Sequence, residues 1–121
     1  MYKVETDSAR NLVVITYRGH VEPAELTQGR AELVAVLAAI QPGFRLLTDL
    51  SGLDAMEYSC APEIEATMDL LREKGVTQVV RVVPDPHKDI GFTVMSFFHH
   101  NPDTTVLTCE TRAEALQKLS A

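Results

Sequence analysis

Val76-Thr77-Gln78-Val79-Val80-Arg81-Val82-Val83 is the most strongly β-branched run in the chain, apolar on both parities except at Gln78 and Arg81. A strand with one face in water alternates apolar and polar residues, whereas one that is apolar on both sides is buried on both, as inside a largely parallel sheet. Parallel strands need long crossovers, and the flanking sequence supplies them. Upstream, Gly75 terminates a helix running from Ala61 or Pro62 to Lys74, with Ile64, Met68 and Leu71 inward. Before that helix, Phe44 to Leu50 is an apolar run too short for a helix, which reads as a strand ending in Asp49-Leu50-Ser51-Gly52. Downstream, Pro84-Asp85-Pro86 closes the central strand. Ile90, Val94, Phe97 and Phe98 then form a helical stripe that ends near His99-His100-Asn101-Pro102. Thr105 to Cys109 is the last strand, and Thr111-Arg112-Ala113-Glu114 is a capping box opening a final helix with Ala115, Leu116 and Leu119.

The first forty residues add a hairpin and a helix. Leu12 to Arg18 alternates Val13, Ile15 and Tyr17 with Leu12, Val14 and Thr16, and Gly19 ends it; Tyr2 to Thr6 pairs with it antiparallel across the polar Asp7 to Asn11. Pro23 opens a helix whose stripe is Leu26, Leu33, Leu37 and Ile40, and Pro42-Gly43 stops it. The order is β-β-α-β-α-β-α-β-α, an α/β domain with a mainly parallel five-stranded sheet and an N-terminal antiparallel hairpin. Its 121 residues suit a single domain spanning 1–121, with no internal repeat or linker. Sequential crossovers put the helices mainly on one face. The sheet surface left to cover points to a homodimer.

Hydrophobic residues make up 45% and charged residues 23%, the composition of an ordinary folded domain. The net charge is −6, which sets an excess of carboxylates against any phosphate backbone, so nucleic acid is not the expected partner. Six of the 17 acids (Asp49, Asp54, Glu57, Glu63, Glu65 and Asp69) fall in one segment that holds none of the 11 bases; the rest of the chain is balanced. Such asymmetry suits a partner with a basic surface. Cys60 and Cys109 form no Cys-x-x-Cys pair, the N-terminus lacks the apolar core of a signal peptide, and no apolar run is long enough to span a membrane. A cytoplasmic protein is expected.

In parallel sheets ligands gather beyond the C-terminal strand ends, here Asp49 to Ser59, Pro84 to His87 and Cys109 to Thr111. Ser59 and Cys60 precede the second helix, whose unpaired N–H groups and dipole favour a phosphate or a thiolate, while Glu57 and Glu63 oppose ionisation of the thiol. His20, His87, His99 and His100 contain no i, i+4 pair, so no metal site is expected. Ser51, Ser59 and Cys60 are candidate nucleophiles and His87 a candidate base, but Gly-x-Ser-x-Gly and the glycine-rich phosphate loops are absent, and no catalytic role or cofactor is assigned.

Element order together with Asp49-Leu50-Ser51-Gly52-Leu53 resembles the STAS family of anti-sigma factor antagonists and sulfate-transporter domains, in particular its bacterial SpoIIAA-like branch, over nearly the whole chain. In that family an Asp-Ser-Ser-Gly quartet opens the second helix, and its first serine is a phosphorylation switch. The quartet falls on Glu57-Tyr58-Ser59-Cys60, so Tyr58 stands at the switch serine and Ser59 keeps the second hydroxyl. The resemblance implies a non-enzymatic regulatory domain that binds a partner protein through Asp49, Ser51, Asp54, Glu57, Ser59, Cys60, Glu63 and Asp69, with Tyr58 or Ser59 as switch. The fold is shared with Sec14-type lipid-binding domains, which implies as an alternative a carrier of a small hydrophobic ligand held by Met68, Leu71, Phe97 and Phe98.

Overall fold

The computed structural model describes residues 1–82, 89–90 and 105–120. Strands β1 (Tyr2–Asp7) and β2 (Leu12–Val21) form the antiparallel hairpin, joined by a 3-10 turn at Ser8–Arg10 and closed by Asn11 in the left-handed region (φ 50°). Helix α1 (Pro23–Leu37) leads to β3 (Arg45–Met56), a 3-10 turn (Tyr58–Cys60), α2 (Ala61–Glu73) and β4 (Gln78–Val82). A two-residue β5 (Asp89–Ile90), β6 (Thr105–Cys109) and α3 (Arg112–Ser120) follow. The sheet runs β1-β2-β3-β4-β6, parallel from β2 onward, and β5 pairs with the far end of β3. The β-branched run is interior, flanked by β3 and β6, with Val79, Val80 and Val82 buried.

Strand alternation divides the core in two. Val13, Ile15, Tyr17, Leu46, Leu50 and Val79 pack under the buried stripes of α1 (Leu26, Leu33, Leu37) and α2 (Ile64, Met68, Leu71). Leu12, Val14, Leu47, Val80 and Val82 face the other way, against Ala115 and Leu119 of α3. Helices therefore lie on both faces of the sheet, the C-terminal helix packing over β3, β4 and β6 on the face opposite α1 and α2. Two arginines fasten that helix: Arg112 at its start reaches Asp49 on β3, and Arg45 at the start of β3 donates to the Leu119 carbonyl. Half of its expected capping box forms: the Glu114 N–H donates to Thr111 Oγ1 at 3.1 Å, but the Glu114 carboxylate accepts the Glu110 N–H at 3.3 Å, one residue before the Thr111 N–H that a reciprocal box uses.

Three expectations need correction. Gly19 does not end β2, which runs on to Val21 and stays paired with β3. Ser51-Gly52 does not end β3, which runs 12 residues to Met56. Between Thr16/Arg18 and Gly19/His20 the pairing with β2 slips, β3 carrying one extra residue at each place. The polar pair that reads as a stop is thus a bulge, where Arg18 lies across Gly52 and would stand 3.1 Å from an added Cβ. Ile90 belongs to β5 rather than to a helix. The remaining features expected there, namely Pro84 to His87, Val94, Phe97, Phe98, His99 and His100, lie outside the described residues. No helix among the described residues is long and apolar enough to cross a membrane.

Candidate functional site

The candidate residues separate onto three parts of the structure. Asp49 and Ser51 project from β3 toward α3. The Asp49 carboxylate is only 5% exposed and accepts the Ser51 N–H (3.0 Å), the Ser51 hydroxyl (2.6 Å) and Arg112 (3.0 Å). Arg112 also donates to Thr16 Oγ1 at 3.3 Å. An acid enclosed in this way anchors the C-terminal helix, so its assignment to a partner surface is corrected: the charge is spent internally.

Glu63 and Asp69 lie on α2. Glu63 faces α1, where its carboxylate accepts Arg30 at 2.6 Å and the Thr27 hydroxyl at 3.1 Å, and these bonds hold it below the usual glutamate range. Asp69 pairs with Arg72 one helical turn on. Half of the acidic segment is therefore compensated by Arg112, Arg30 and Arg72. Because its folded-state pKa is lowered, Glu63 adds stability above the ordinary glutamate pKa and loses it as acidification protonates the folded carboxyl. Glu63→Gln should therefore destabilise by about 0.5–1 kcal/mol at pH 7, the range for a partly exposed pair. In urea titrations the two proteins should converge as the pH falls below the ordinary glutamate range.

The third group sits at the turn before α2. Cys60 is fully buried, its thiol donates to the Val21 carbonyl at 3.4 Å, and burial together with Glu57, Glu22 and Glu25 pushes its pKa up. It is corrected from surface residue to core residue and is no thiolate nucleophile. Glu57, Tyr58 and Ser59 are exposed, and the Ser59 hydroxyl lies 3.5 Å from Glu57 Oε2. Ser59 makes no capping bond to α2, whose N-cap is Cys60. Tyr58 is 73% exposed, a large aromatic carried into solvent on a tight turn. Asp54 is exposed on the last stretch of β3. Met68 and Leu71 are packed in the core between α2 and the sheet, while Phe97 and Phe98 lie outside the described residues.

Sequence reading set His20 aside and passed over Glu22, and both stand near this turn. His20 Nε2 stands 3.5 Å from Glu57 Oε1 and 3.7 Å from Glu22 Oε1. His20 and Glu22 are close in sequence, but no spacing links them to Glu57; parallel pairing of β2 with β3 brings the three together.

No family model matches the sequence, and no curated protein sequence does. Solved structures do match. The anti-sigma factor antagonist SpoIIAA in its unphosphorylated form superposes with a TM-score of 0.67 at 18% identity, over 100% of this chain and 99% of that one. An uncharacterised DUF3478-family protein from Shewanella loihica PV-4, described as having a SpoIIAA-like fold, gives 0.65 at 18% identity, over 98% and 92%. With its antiparallel β1–β2 pair, parallel remainder and covering helices, the chain has the SpoIIAA-like fold.

Proposed function

We propose that this chain is a non-enzymatic regulatory domain that docks a partner protein through the turn opening α2. The observation that carries the reading is Tyr58, 73% exposed between the exposed Glu57 and Ser59. Tyrosine joins a broad apolar ring to a polar tip, and such residues anchor protein interfaces when a partner desolvates them. The likeness of fold supports the reading, since one solved protein of this fold is an anti-sigma factor antagonist and was captured unphosphorylated. Glu57 on the turn and Glu65 on α2 are exposed acids, which favours a partner with a basic surface and a salt-dependent association rate.

Tyr58 and Ser59 are the positions for a covalent switch. A phosphate on Ser59 would sit beside the Glu57 carboxylate, and repulsion between them would open the turn and release the partner. A photo-crosslinking residue placed at position 58, with a second at position 34 on the exposed face of α1, tests the docking site in native extract. Crosslinks to one protein from position 58, competed by unlabelled wild type and lost with Glu57→Lys, are expected. Equal crosslinking from both positions would contradict the proposal.

A further inference from the structure

Where β2 ends, α1 begins and the 57–60 turn starts, three side chains converge that the docking reading does not use as a set. His20, Glu22 and Glu57 each bring one donor atom within 4.8 Å of the other two. The separations from His20 Nε2 are 3.5 and 3.7 Å, longer than the roughly 2.7–3.2 Å of a good hydrogen bond. Tetrahedral zinc with bonds of about 2.0–2.2 Å places its donors about 3.3–3.6 Å apart, so the two His20 separations already match, and rotation of the exposed Glu22 and Glu57 side chains toward each other would complete the set. Nor does the trio balance its own charge, because two carboxylates face one imidazole.

We infer that His20, Glu22 and Glu57 form a binding site for a divalent transition-metal ion of the zinc class. The donor set selects the ion. One imidazole nitrogen and two carboxylates suit zinc, cobalt or nickel, whereas calcium takes six to eight oxygens and magnesium a near-ideal oxygen octahedron. Three protein donors fill three positions and leave a fourth for water or an incoming group. The scaffold is firm beneath them: His20 follows Gly19 (φ 63°) at the second slip in the β2–β3 pairing, and the Glu22 N–H donates to Glu25 Oε1 at 3.2 Å as α1 begins. A bound ion would tie three chain segments together at the turn that carries Tyr58 and would neutralise Glu57. The inference stands apart from the docking role, and either can fail without the other.

Titration calorimetry of the full chain with zinc chloride, repeated with calcium and magnesium chloride, tests it. One zinc per chain is expected, with no comparable heat from calcium or magnesium. His20→Ala and Glu57→Gln should each weaken zinc binding at least about tenfold, the scale on which even supporting partners of a metal matter, and Glu73→Gln on α2 should leave it unchanged. All three substituted positions are exposed, so the variants should fold, and matching circular dichroism spectra confirm that. The His20 imidazole cross-peaks should move on zinc addition. Absence of zinc binding, binding that survives His20→Ala, or an equal response to calcium overturns the site.

Discussion

Gly29→Ala is expected to lower stability by about 2–4 kcal/mol, although alanine is the better helix former by about 1 kcal/mol. Gly29 lies mid-helix in α1 on the buried face, and the ring of Tyr2 from β1 rests against it. A Cβ there would stand 2.0 Å from Tyr2 Cε1 and 2.2 Å from Cδ1, well inside contact distance. Tyr17 bars one direction of retreat, since the two rings pack edge-on with centroids 5.2 Å apart. The ring must shift from its site, at a cost below the roughly 3–5 kcal/mol of a fully buried aromatic truncation because Tyr2 is only partly buried, and partly offset by the gain in helix propensity. The sign should reverse in a Tyr2→Ala background, where the same substitution should stabilise by about 1 kcal/mol. Urea denaturation of the four proteins reads this directly. An equal loss in both backgrounds would mean that the ring is not what the glycine accommodates.

Arg112→Ala should cost about 2–3 kcal/mol, below the 3–5 kcal/mol of a fully buried broken pair because the Arg112 side chain is 36% exposed. The substitution leaves Asp49 enclosed with only the Ser51 donors and frees the first turn of a nine-residue helix. A helix that short does not persist on its own propensity, so α3 should loosen as a unit. In an Asp49→Asn background, where the stranded charge is gone, Arg112→Ala should cost about 1 kcal/mol or less. Thermal denaturation of the four proteins tests the coupling, and hydrogen exchange should show early loss of protection in residues 112–120. Equal effects in both backgrounds would remove the pair from its anchoring role.

Much of this fold is legible because its signals are local. The doubly apolar Val76–Val83 run marks an interior strand, the Leu26, Leu33 and Leu37 stripe marks a buried helix face, and Thr111 with Glu114 marks a helix start; each is settled within one turn or one strand. Contacts across the chain hide the rest. Asp49 reads as a surface acid until Arg112, 63 residues away, folds over it. Ser51-Gly52 reads as a terminator because a bulge and a stop share the same residue types. Cys60 beside four polar or acidic neighbours gives no hint that its thiol turns inward to the Val21 carbonyl. Gly29 is silent in sequence, since only the ring of Tyr2 explains it. The histidine spacing rule covers ligands on one helix, and His20, Glu22 and Glu57 come from three segments.

The docking role of the 57–60 turn is tested most directly by calorimetry with the partner captured at position 58. Tyr58→Ala is predicted to weaken that complex by about 2 kcal/mol, roughly thirtyfold, as loss of an interface anchor does, while Val34→Ala leaves affinity within about twofold. Both side chains are exposed, 73% and 48%, so neither change should disturb the fold. Affinity of Tyr58→Ala within about twofold of wild type would contradict the docking surface placed at this turn.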